Sequence, residues 1–203
     1  MRRIYVPNLS VHVYNRGNNR TSIFTENTDC EVFLTMLKAA TAWHGVSVHE
    51  FVLMTTHFHL IATPNTETAL AGAMKQVGER YSRYFNRRHR RTGTLWESRY
   101  RAKHIMDERQ WLICSRYVVQ NPVRARMVAT PGAHQWSSYR VHGMGEEAEW
   151  LVHHAVYLGL GLHDEDRQAA FRTMCDEPLP EADLLCVRNN WTTPLRYVAL
   201  AEA

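Results

Sequence analysis

Hydrophobic positions along this chain switch between two periods, and the switches mark out its elements. YVPNLSVHVYNRGNN alternates, with Val11 and Val13 on one side and His12 and Tyr14 on the other, as a half-buried strand does. RGNNR then reads as a turn. Across residues 28–44, Val32, Phe33, Met36, Leu37, Ala40 and Trp43 recur at helical spacing, and Gly45 follows as a stop. VSVHEFVLMTTHFHLIAT carries two strand-like runs, 46–54 and 57–63, with Thr55 and Thr56 as a hairpin connection or bend. Leu70, Met74, Val77, Tyr81 and Tyr84 form one stripe of a long amphipathic helix over 66–88. RRTGTLWESRYRAKHI reads as a loop feeding a short strand. Asp107 and Gln110 resemble a capping box that opens a helix running to Gln120. Pro122 is expected to end it by pushing Asn121 away from helical torsions. Beyond Tyr139 the pattern weakens, and HHAVYLGLG and DEDRQAAFRTMCDE read as short helices.

That order predicts an α+β fold, an antiparallel sheet with helices packed on one face. The 203 residues suffice for one sizeable domain with an appendage. No apolar run is long enough to span a bilayer, and no apolar segment follows the basic N-terminus, so neither a membrane span nor a secretory signal is expected. Cys30, Cys114, Cys175 and Cys186 are scattered without CxxC spacing, which argues against a zinc knuckle and fits free thiols in the cytoplasm.

Charge changes the picture more than composition does. The net charge is only +4, but Arg80, Arg83, Arg87, Arg88, Arg90, Arg91, Arg99, Arg101 and Lys103 crowd one stretch against a single Glu97. The part from Gly145 onward is acidic by contrast. The basic band suits a polyanion partner, or else a solvated helix face, and charge alone leaves both open. Arginines interleaved with Tyr81, Tyr84, Phe85, Trp96 and Tyr100 could follow phosphates and stack unpaired bases. Tyr81, Tyr84, Trp96 and Trp136 are better assigned to packing. Arg124 and Arg126 read equally as phosphate contacts or as a solvated loop.

Candidate chemistry begins with LMTTHFHLIATP. On a strand His57 and His59 face one side, and Phe58, Leu60 and Ala62 the other. Two neutral imidazoles so spaced can hold one divalent cation with an oxygen ligand from elsewhere; the plain alternative is a pair of exposed histidines. Tyr117 and Asn121 lie four apart, on one helix face, where Tyr117 is either a nucleophile or a core residue.

Four motifs in order, the HFH run, GTLWESRY (93–100), YVVQNPVRARMV (117–128) and WSSY (136–139), preceded by HVYNRGNNR (12–20), resemble REP-associated tyrosine transposases. These belong to the IS200-type, single-tyrosine HUH transposase superfamily. The likeness covers most of residues 5–140. It implies a ferredoxin-like fold, with the histidine pair on a central strand and the tyrosine on a facing helix. It also implies His57, His59 and Asn121 as ligands of Mg²⁺ or Mn²⁺, with Gln120 a competing neighbour, and Tyr117 as nucleophile. TTHFH departs from relatives that carry a proline and a polar residue before the pair, outside the ligands.

The resemblance implies cleavage and rejoining of single-stranded or hairpin DNA through a 5′-phosphotyrosine, with the basic residues above as DNA contacts. Two other readings stay open: a catalytically silent DNA-binding protein of the same fold, and an RNA-binding or nuclease-type protein. Residues 1–142 are expected to form the transposase domain and 143–203 a helical extension. Monomer and homodimer are left undecided.

Overall fold

The computed structural model describes residues 3–188, so the extension expected over 143–203 falls outside the described residues from 189 onward. The first elements are β1 (Val11–Arg16), α1 (Asn27–His44), β2 (Val46–Met54), β3 (His57–Pro64), α2 (Ala69–Arg88) and β4 (Arg101–His104). Their strands form one antiparallel sheet in the order β2-β3-β1-β4, the ferredoxin-like arrangement of a βαββαβ chain. This order places β1 beside β3, so His12 pairs with Ile61 and Tyr14 with His59. Thr55 and Thr56 close the β2–β3 hairpin. Gly45 ends α1 at φ 69°, a left-handed torsion that glycine adopts without a Cβ penalty.

α1 and α2 cover one face of the sheet. Phe33 and Leu37 of α1 and Leu70, Val77 and Tyr81 of α2 pack on Val11, Val13, Phe58, Leu60 and Ala62. Tyr81 is fully buried and donates its hydroxyl to Ile23 O, and Trp96 donates Nε1–H to Gly78 O, so both are packing residues as expected.

The opposite face carries the later helices: α3 (Glu108–Val119), α4 (Asn121–Arg124), α5 (Tyr139–Met144), α6 (Ala155–Leu158), α7 (Asp164–Asp176) and α8 (Glu181–Arg188). Trp111, Cys114 and Val118 of α3 share a core with Val52, Met54 and Ile61 of the sheet and with Tyr157, Phe171 and Cys175. α8 rests against α3 through Val187 and Ile113. All four cysteines are free thiols. Among the described residues no helix is long and apolar enough to cross a membrane.

A bulge in β2 supplies this second face with polar groups. Val48 pairs with Ala62 but Glu50 with Ile61, which leaves His49 as an extra residue. Side chains alternate along a strand, so one inserted residue reverses the facing of all that follow. Val46 and Val48 therefore share the α1/α2 core with Phe51 and Leu53. Glu50 turns to the other side and accepts from Ser115 Oγ of α3 at 2.8 Å and from Ser138 Oγ. The WSSY segment lies along β2: Leu53 N donates to Trp136 O and Ser138 N to Phe51 O, both at 2.9 Å.

One expectation is corrected. Asp107 caps α3 through Gln110 N and α3 ends at Val119, both close to expectation, but Pro122 does not push Asn121 away from helical torsions. Gln120 stays in the right-handed helical region, and a fresh turn, α4, starts at Asn121 with Pro122 in its first turn, where a missing N–H costs nothing. Asn121 is therefore buried instead of frayed.

Candidate active site

β3 presents His57 and His59 on the α3 side of the sheet, with Phe58, Leu60 and Ala62 on the other. The two rings stand 5.2 Å apart, centroid to centroid, with perpendicular planes. His57 Nδ1 meets Thr56 Oγ1 at 3.1 Å, and His59 Nδ1 meets His12 Nε2 at 2.9 Å. Nε2 of each ring has no protein hydrogen bond among the described residues. Burial pushes His57 down to about 4, with Arg124 and Arg16 adding repulsion. His59 is pushed down too, by burial first and then by His12, His57, Arg124 and Lys103. Both rings are thus neutral near pH 7. In the tautomer where His59 donates from Nδ1 to His12, its Nε2 keeps a free lone pair, the form a metal takes. The pair therefore fits a divalent cation; among the described residues no cluster of three or more His, Cys, Asp or Glu does so unaided.

α3 brings Tyr117 against His59 and His12. Its half-buried ring stands edge-on to His59 at 5.4 Å and to His12 at 5.9 Å. The turn at Pro122 folds α4 back beneath it. Arg124 Cζ lies 4.0 Å from the Tyr117 ring centroid, Nη1 donates to Tyr117 O at 3.1 Å and Nη2 to Asn121 Oδ1 at 2.9 Å. Asn121 Nδ2 donates to Tyr117 O at 3.0 Å. The Gln120 amide instead donates to Cys175 O and Glu177 O, both at 2.7 Å, at the end of α7.

The basic band is divided between the two faces. Arg80, Arg83, Arg87 and Arg88 ride on α2, across the sheet from Tyr117, and are exposed; Arg88 pairs with Glu26. Arg90 is exposed just past that helix, and Arg91 stacks on Phe85. Arg99 is exposed in the loop before β4. Arg101 and Lys103 stand on β4 opposite Tyr14 and His12, hence on the histidine side. Lys103 lies over the Tyr14 ring at 5.8 Å and donates to Val187 O at 2.5 Å.

Two residues at the site, His12 and Tyr14, were not singled out from sequence, and Arg124 was weighed equally as a phosphate contact or a solvated-loop residue. The first two had a signal, because the alternation of β1 puts them on the face away from the core. The strand order then sets them beside His59. The place of Arg124 beside Tyr117 had none, since it depends on the turn at Pro122.

This chain belongs to the IS200-like transposase family, whose model matches residues 5–121. Transposases are enzymes acting on DNA. The structure is similar to that of a REP-associated tyrosine transposase bound to a REP hairpin, at TM-score 0.62 and 15% identity over 76% of this chain and 91% of that one. A protein of Deinococcus radiodurans assigned as a transposase matches at TM-score 0.42 and 15% identity, over 54% of this chain and 88% of that one. No curated protein matches the sequence.

Proposed function

We propose that the protein cleaves and rejoins single-stranded or hairpin DNA, of the palindromic-repeat kind bound by its structural neighbour. Tyr117 is the nucleophile. The observation that carries this reading is the meeting of a half-buried phenol with paired, neutral imidazoles from a separate element. Tyr117 Oη bonds to phosphorus, the bond from phosphorus to the 3′-oxygen breaks, and the phenol proton reaches that oxygen through solvent. The products are a 5′-phosphotyrosine and a 3′-hydroxyl. The ester keeps the bond energy, so the 3′-hydroxyl of another strand can reverse the step without ATP.

His57 Nε2 and His59 Nε2 hold a divalent cation, Mg²⁺ or Mn²⁺, with Asn121 as the oxygen ligand. When bound, that ion supplies Lewis-acid polarisation of a non-bridging phosphate oxygen. Asn121 is favoured over Gln120 because its amide lies under Tyr117, while the Gln120 amide is held at α7. Its Oδ1 already accepts from Arg124, but a carbonyl oxygen has a second lone pair. Arg101 and Lys103 flank the phosphate path, and Arg80, Arg83, Arg87, Arg88, Arg90, Arg91 and Arg99 position more distant backbone.

The test is incubation with labelled hairpin DNA and Mn²⁺, followed by denaturing electrophoresis. Wild type forms a denaturation-resistant protein–DNA adduct and Tyr117→Phe forms none. An adduct that survives Tyr117→Phe assigns the nucleophile elsewhere. Binding without an adduct in the wild type leaves the reading of a silent DNA-binding protein.

A further inference from the structure

We infer that Arg124 is a further catalytic residue, whose guanidinium grips the scissile phosphate beside Tyr117. The inference rests on the function proposed above and adds a contact that the family match, ending at Asn121, does not reach.

Two observations carry it. First, the guanidinium is fixed at the nucleophile: it stacks on the Tyr117 ring at 4.0 Å while bonding Tyr117 O and Asn121 Oδ1. Those two bonds do not exhaust its five N–H donors. Second, it is half-buried with no carboxylate partner, since none of the ion pairs among the described residues includes it. Arg16 and Arg88, by contrast, are each matched to a glutamate. A half-buried cation left without an anion and stacked on the proposed nucleophile is a place for the phosphate itself. A planar guanidinium can take two phosphate oxygens at once, which a lysine cannot. Arg124 forms no covalent bond; it neutralises the phosphate while Tyr117 Oη attacks.

Two measurements on the full chain test this: single-turnover adduct formation at saturating labelled hairpin DNA, and Mn²⁺ affinity by electron paramagnetic resonance. Arg124→Ala is expected to slow adduct formation at least ~100-fold, the usual effect of losing a donor to a transition-state oxygen. Arg124→Lys recovers part of the rate, and added guanidinium ion accelerates Arg124→Ala but not wild type. Mn²⁺ affinity stays level or rises, because a repelling charge has gone. Arg124→Gln repeats the test should the alanine variant fail to fold. A wild-type rate in the folded variants at saturating DNA overturns the inference. So does a loss of Mn²⁺ affinity that parallels the loss of rate, for Arg124 would then act only by holding Asn121. If wild type forms no adduct, the functional reading falls and this inference with it.

Discussion

Neighbouring residues on β1 and β3 go to opposite faces, and the two faces are built on different terms. Val11, Val13, Phe58 and Leu60 enter the α1/α2 side and join a cluster of apolar and aromatic residues, with the buried Asp29 carboxylate set between α1 and the end of α2, where Tyr84 and His89 bond it. His12, Tyr14, His57 and His59 enter the α3 side, which also buries the Glu50 carboxyl and His142 completely. The first face gains free energy from removing apolar area from water. The second takes polar groups out of water, and each one left without a partner costs stability. One strand pair thus supports a scaffold on one side and chemistry on the other. The predictions below separate the two.

The largest stability effect is expected on the apolar side. Phe33 is fully buried, 4.9 Å from the Phe58 ring and 5.0 Å from Tyr81. Phe33→Ala removes a ring and leaves a cavity, at a cost of about 3–5 kcal/mol. Urea unfolding should show it as a lower midpoint. Adduct formation per folded molecule should hardly change, because Phe33 points away from Tyr117. A selective loss of cleavage with stability intact would break the division.

The polar side should show itself through pH. His49, the bulge residue, donates Nδ1–H to Val152 O at 2.6 Å and accepts at Nε2 from Thr63 Oγ1 at 2.8 Å. That arrangement needs a neutral ring, and burial pushes its pKa down to about 4. The unfolded ring, near its ordinary value of about 6.5, takes a proton first as pH falls. Stability is therefore lost between about pH 6.5 and 4, by about 3 kcal/mol from this group at most. His49→Gln keeps a donor and an acceptor without the titration, so its acid limb should be shallower. His12, His57 and His59 titrate in the same sense, so the limb should not vanish. An unchanged limb would mean that His49 takes up its proton without cost.

What the sequence disclosed follows the same division. The alternation of Val11 and Val13 with His12 and Tyr14, and of Phe58 and Leu60 with His57 and His59, needs no long-range information. It placed both strands and their facing. Glu50 was hidden because VSVHEFVLM reads as a plain strand, and its partners Ser115 and Ser138 come 65 and 88 residues later. The bulge that turns it inward leaves no mark in an apolar run. Arg124 was visible as a possible phosphate contact, but its place beside Tyr117 was hidden by a local rule that failed: the residue before proline usually leaves the helix, but here α4 begins there. The basic stretch was visible as charge. Its division between α2 and β4 depends on the sheet order, which the spacing of arginines does not contain.

The smallest stability effect, and the sharpest contrast with Phe33, is expected for His57→Ala. His57 is less buried than His59, and its Nδ1 bonds only the neighbouring Thr56. Truncation leaves no large cavity and strands no distant partner, so urea unfolding should move by less than about 1 kcal/mol. The consequence should appear in metal binding instead. With one imidazole gone the remaining nitrogen, on His59, cannot hold a divalent cation alone. Isothermal titration with Mn²⁺ should show affinity falling by about 10- to 100-fold or more, on the scale of losses seen when the support of a metal ligand is removed. Adduct formation should fall with it, while binding of the uncleaved hairpin persists through the arginines. If His57→Ala kept its Mn²⁺ affinity, the histidine pair would be no metal site, and the polar face would need another reason for two imidazoles under Tyr117.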